Sequence, residues 1–176
     1  MARRDRVTLN IASYSDDPRA RLLSAFAHTP FVLRCGEREI RCESVEGFWQ
    51  GLKFPEDSAE RERIFGLWGL DAKRAGASAP SSEAIDFCGE RVARGGPAHH
   101  ALAERATRAK LGQNEEVRRA LIETVGLTLT HELVDESGAP VPDSRTLPAA
   151  VFCAIWTKLR DEISSQGARD DTSRLA

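Results

Sequence analysis

Glu46, Gln50 and Lys53 stand at i, i+4 and i+7 in the stretch SVEGFWQGLKF (44–54): a carboxylate, an amide and an ammonium. On a helix they form one polar stripe. Ser44 is placed to cap that helix, which puts Glu46 in the first turn. A carboxylate there can stabilise developing positive charge or take a proton from water, and the helix dipole is expected to keep it ionised. Lys53 offers a partner for a phosphate, as do Arg19, Arg21 and Lys73. Phe48, Trp49 and Leu52 occupy the neighbouring surface and could wall a pocket. The alternative is a solvated helix face, and these residues alone leave both readings open.

Other constellations fare worse. His99–His100 with Cys88 fits no zinc template, and GxGxxG, the P-loop and GxSxG are absent. No metal or cofactor is required. Cys35, Cys42, Cys88 and Cys153 are scattered without CxxC spacing, so the expectation is reduced, mostly buried thiols. The 176 residues suggest one domain. A net charge of −2 gives no electrostatic footprint for nonspecific nucleic-acid binding, although a local basic pocket is compatible with it. Long apolar runs are absent, and MARRDRVTLN is basic without an apolar signal core. The expectation is a cytoplasmic protein with no membrane partner.

The elements that must position the stripe follow from pattern. VTLNIASY (7–14) reads as a short strand, and SDDPRAR as a turn with Pro18 limiting helix continuation. FVLRC and EIRCE flank Gly36 as a hairpin. A helical run over 57–76 would bury Ile64, Phe65, Trp68 and Ala72, with Gly66 and Gly69 weakening its continuity. Ser82 is placed to cap a further helix, and RGGPAHH (94–100) is a break. Helices follow from Ala101 to Gly112 and, capped by Asn114, to Gly126. Residues 128–136 fit a short strand or a turn, and 137–148 a loop. The strongest helix starts at Ala149, with Phe152, Ile155, Trp156, Leu159 and Ile163 on one face. Residues 164–176 read as a polar, frayed tail after a single domain over 1–163. The fold class is α+β, mainly helical, with a small N-terminal β element.

Taken in order, LNIASYSDD, LLSAFAHTPFVL and SVEGFWQGLKF resemble the N-terminal half of the NADAR (YbiA-like) family of N-glycosidases. Leu23, Ser24 and Phe26 stand for its "LSNF", Pro30–Phe31 for its "PF", and Glu46, Gln50, Lys53 and Phe54 for its "E…Q..KF". LDAKRAG (70–76), RAKLGQNEEVRRALIETVG (108–126), Thr130–Glu132 and LRDEI (159–163) resemble its later motifs, so the resemblance spans 9–163. It implies hydrolysis of the N-glycosidic bond at ribose C1′ of a phosphorylated ribosyl or ADP-ribosyl substrate, free or carried on nucleic acid. Glu46 would be the main catalytic carboxylate. Ser24, Phe26, Trp49, Gln50, Lys53 and Lys73 would contact substrate, with Phe87 in place of a family tryptophan. Three departures stand out. Gly47 replaces the family's histidine after the glutamate, and the family's tryptophan just before the helix that RAKLGQ (108–113) resembles has no clear counterpart. The segment that supplies a second acid becomes VDESGAPVPDSRTLPAAVF, where Asp135 or Asp143 could serve. They motivate a rival: a nucleotide- or ADP-ribose-binding module without catalysis.

Overall fold

Glu46 and Gln50 ride on a short helix packed among three others, and Lys53, expected on the same helix, lies in the turn that follows it. The computed structural model describes residues 7–174, with side chains to residue 166. The signal-peptide reading of the first six residues, and the side chains of most of the expected tail, lie outside that range. The chain runs β1 (Thr8–Asn10), α1 (Pro18–Leu23), β2 (Phe31–Cys35), β3 (Arg38–Cys42), α2 (Val45–Gly51), α3 (Ala59–Phe65), α4 (Gly69–Gly76), β4 (Ala84–Phe87), β5 (Glu90–Ala93), α5 (Pro97–Gln113), α6 (Glu115–Ile122), β6 (Thr128–Thr130) and α7 (Ala149–Arg174). This is a mainly helical α+β architecture. Its sheets are three two-stranded pairs: β1–β6 parallel, β2–β3 and β4–β5 antiparallel.

Helix α2 is the hub, packing on α3, α4 and α5. Its small residues make that possible. A Cβ on Gly47 would collide with the Leu67 carbonyl oxygen and lie 2.9 Å from that of Ile64. A Cβ on Gly51 would enter the Phe65 ring at 2.5 Å. Glycine at i and i+4 thus lets the backbone after α3 close on α2, which explains why no histidine follows Glu46. The core continues through Phe48, Phe65 and Phe87 to Phe152, Trp156 and Leu159 of α7. Each such side chain contributes roughly 1.5–3 kcal/mol on burial.

Several expectations are corrected. Pro18 starts α1 at its first turn, where a missing N–H costs nothing, and Asp17 caps it. The run over 57–76 is two helices, because Gly69 adopts φ +57° between them. Trp68 is therefore 48% exposed, stacked on His28 at 4.2 Å rather than in the core. Ser82 caps no helix: its hydroxyl donates to the Ala84 carbonyl at the start of the β4–β5 hairpin. Helix α5 already begins at Pro97, within the expected break. Asn114 makes no side-chain cap; its amide donates to Pro30 and Lys110 carbonyls. Helix α7 runs to Arg174, through the expected frayed tail. Cys35 and Cys88 form a disulfide, Cα–Cα 5.3 Å, joining the end of β2 to the β4–β5 turn. Cys42 and Cys153 are free, and burial raises both thiol pKa values, Cys153 to about 11. Among the described residues no helix is long and apolar enough to cross a membrane.

Candidate functional site

The N-terminus of α2 is fixed first. The Ser44 hydroxyl accepts from the Gly47 N–H at 2.8 Å and donates to the Leu67 carbonyl at 3.0 Å. The Glu46 N–H donates to the Ala25 carbonyl at 2.9 Å, tying the helix to the segment after α1. The stripe then becomes a chain of hydrogen bonds. Gln50 Nε2 donates to Glu46 Oε1 at 2.8 Å, and Lys53 Nζ donates to Gln50 Oε1. Gln50 itself packs over Gly76 at the end of α4, where a Cβ would overlap its amide.

This chain floors a cavity of about 510 Å³. Around it stand Ser13 and Tyr14 after β1, Ser24 and Phe26 after α1, and Leu70 and Lys73 of α4. The lining is completed by His131, Leu133, Val134, Val141, Ser144, Thr146, Leu147 and Phe152. The structure thus gathers Ser24, Phe26, Glu46, Trp49, Gln50, Lys53 and Lys73 around one space. Among the described residues there is no cluster of three or more His, Cys, Asp or Glu able to hold a metal.

The other candidates lie elsewhere. Phe87 is buried edge-on against Phe48, with the Arg61 and Arg105 guanidiniums over its ring, in the core rather than the cavity. Asp135 is exposed, its Oδ1 accepting from Ser137 N–H and hydroxyl and from Ala139 N–H. Asp143 Oδ1 accepts from Ser144 and Ala149 N–H groups, closing the start of α7. Both carboxylates organise the loop, because prolines and Gly138 leave backbone N–H groups there without strand partners. Arg19 forks onto Asp17 and donates to the Glu123 carbonyl, and Arg21 donates to the Ser15 and Asp16 carbonyls. Neither faces the cavity.

Electrostatics reverse one expectation. Glu46 is 9% exposed, and burial raises its pKa despite the Gln50 hydrogen bond and the attraction of Lys73 and Lys53. Desolvation outweighs the dipole of a helix only seven residues long. Burial likewise lowers the Lys53 pKa, with Arg94 and Lys73 adding to it and Glu46 opposing. A buried acid and a half-buried base with pKa values displaced toward each other suit proton transfer with a ligand between them.

Two supports lie behind the walls. Trp49 stacks on His99 at 3.8 Å and 9°. The Gly95 N–H donates to His99 Nδ1 at 2.9 Å, and burial lowers the His99 pKa to about 4, so this ring is neutral. Lys110 is fully buried; its Nζ donates to the Ser24 carbonyl at 2.8 Å and lies 5.7 Å over the Trp156 ring. Burial brings its pKa to about 7. It fastens the Ser24–Phe26 wall to α5.

Fold and cavity define the class: a small α+β domain with a ligand-sized space floored by a buried polar helix. The fold is similar to that in the NMR structure of the E. coli protein YbiA, with TM-score 0.59 at 18% identity over 94% of this chain and 92% of that one. Residues 18–161 match the family of bacteriophage protein GP30.3, and the chain belongs to that family. It is 35% identical over 144 residues to a 17.1 kDa protein of Enterobacteria phage T4 from the Gp30–rIII intergenic region. That match spans 80% of this chain and 90% of the phage protein.

Proposed function

We propose that the chain is a divergent NADAR-type N-glycosidase that hydrolyses the bond between ribose C1′ and a base in a phosphorylated ribosyl or ADP-ribosyl conjugate. The observation that carries this reading is the hydrogen-bonded chain of buried Glu46 and Gln50 with half-buried Lys53 on the cavity floor. Cleavage builds positive charge on the ribose ring, which the Glu46 carboxylate stabilises at close range. Glu46 takes a proton from the attacking water; the water oxygen bonds to C1′, and the C1′–N pair leaves with the base, which takes up a proton from solvent. Lys73 makes no ion pair among the described residues and sits on the same cavity, suited to a phosphate with Lys53. Trp49, backed by His99, offers a flat wall to a planar group.

A second reading has its own observation. Neither Asp135 nor Asp143 lines the cavity, so the 133–148 segment brings no second carboxylate to it. That favours a module that binds a nucleotide or ADP-ribose without turning it over. The separating experiment is mass-spectrometric product analysis on a panel of ADP-ribosylated guanine in DNA, NAD and ribosylamino-pyrimidine phosphates. The glycosidase releases free base from at least one of them. ADP-ribose binding without release, unchanged in Glu46→Gln, identifies the module.

A further inference from the structure

The cavity is graded from a polar floor to an apolar mouth. Glu46, Trp49 and Gln50 are buried at its base. Eight large hydrophobic side chains are exposed among the described residues, and four of them line this one cavity. They are Tyr14, Leu70, Val134 and Val141, between 38% and 55% exposed. Lining residues that are also open to solvent stand where the cavity meets it. Exposed apolar side chains scattered singly are ordinary; gathered around a ligand-sized space they mark a binding surface. Tyr14 is also held still. Its hydroxyl donates to the Glu132 carbonyl and accepts from the Val134 N–H, each at 2.9 Å. Asn10 grips the same Glu132 on both sides, donating to its carbonyl at 2.8 Å and accepting from its N–H at 2.9 Å. With the hydroxyl hydrogen given to backbone, what Tyr14 has left for a ligand is a fixed, half-open aromatic ring.

We infer that this rim is the subsite of the leaving base: the base stacks on the Tyr14 ring, edged by Leu70, Val134 and Val141, with the ribose below it over α2. The direction of attack places it there. Water activated by Glu46 on the floor reaches C1′ on the face of the sugar opposite the bond that breaks. The C1′–N bond therefore points away from the floor, toward the mouth. A base is apolar on its faces and polar at its edges, so an aromatic ring takes its plane while the open mouth leaves its edges in water. The four rim side chains offer contact area and no hydrogen-bond code, so purine and pyrimidine are both accepted. The departing nitrogen, carrying the C1′–N electron pair, stands at the solvent boundary where it takes up its proton. The freed base then leaves without crossing the floor.

This inference rests on the proposed ribosyl ligand, and its test keeps the two apart. Calorimetric titration compares ribose 5-phosphate with guanosine and uridine 5′-monophosphates, which add a base at C1′. Both nucleotides are expected to bind the wild type about 5- to 100-fold more tightly than the sugar phosphate, the worth of one stacked base. Tyr14→Leu should remove most of that advantage and leave the affinity for ribose 5-phosphate unchanged, which also shows that the variant is folded. Tyr14→Phe, which keeps the ring and loses its tether, should stay within about 3-fold of wild type for every probe. Three results overturn this inference while the ribosyl reading stands: nucleotides binding no more tightly than ribose 5-phosphate, an advantage that survives Tyr14→Leu, or an equal loss for all probes in that variant. No binding of any probe overturns both.

Discussion

Replacing Lys110 by methionine should change how stability depends on pH, and the size of the change follows from one buried amine. Lys110 is fully buried, and its one hydrogen bond runs to a neutral carbonyl. Its folded pKa is about 7 against an ordinary 10.5. Between those values the unfolded chain holds a proton that the folded chain has released, so stability rises with pH by roughly 1.4 kcal/mol per unit. Below about pH 7 both states are protonated and this contribution is flat. The full difference, about 3.5 units, amounts to roughly 5 kcal/mol, with the Trp156 ring already offsetting part of the charge burial. Lys110→Met removes that slope and leaves the Ser24 carbonyl only the Ala27 N–H at 3.3 Å, a loss of about 0.5–1.5 kcal/mol. The variant should be more stable than wild type at pH 7 and less stable at pH 10.5, the two curves crossing between. Urea denaturation at half-unit pH steps reads this directly. Parallel curves across that range would refute the reasoning, since they would mean that Lys110 titrates normally in the folded chain.

Four other outcomes follow. Gly76→Ala should gain about 0.5–1 kcal/mol on helix propensity, yet its Cβ would overlap the Gln50 amide and lie 2.7 Å from the Gln50 Cβ, which is fixed to α2, so Tm and turnover or ligand binding should fall together. Gly47→Ala should lower stability by about 1–3 kcal/mol in chemical denaturation, because its Cβ meets fixed carbonyl oxygens rather than a movable side chain. Reducing the Cys35–Cys88 bond, which closes a separation of 53 residues, should cost about 2–4 kcal/mol, and Cys35→Ser with Cys88→Ser should abolish the response to reductant. With Glu46 acting as base and its pKa raised by burial, kcat/KM should fall as pH drops, through a midpoint above 4.5 rather than at it; a profile flat down to pH 4.5 contradicts that role.

What the sequence made legible was what local spacing encodes. The polar stripe of α2, its Ser44 cap and the apolar face of α7 depend on neighbours three to eleven positions apart, and the structure contains them. The β4–β5 hairpin was hidden because Ile85, Phe87 and Val92 alternate only across a turn where Cys88 itself takes positive φ. The disulfide joins elements far apart in the chain, and scattered cysteines carry no pairing signal. At the site, helical spacing identified the floor, whereas the lining after β6 depended on the parallel pairing of β1 with β6, 120 residues away. Asp135 and Asp143 look catalytic by residue type, but an aspartate among loop N–H groups is equally suited to a turn, and both are used so.

The most direct test of the glycosidase reading is release of free base by the wild type and Glu46→Gln, measured side by side on the panel member that turns over. ADP-ribose binding to each protein serves as the control for folding. The account predicts product from the wild type, a loss of about 10²- to 10⁴-fold in the variant, and binding within a few-fold in both. Equal release by the two proteins would contradict it, because the chemistry would then not pass through the carboxylate at the head of α2.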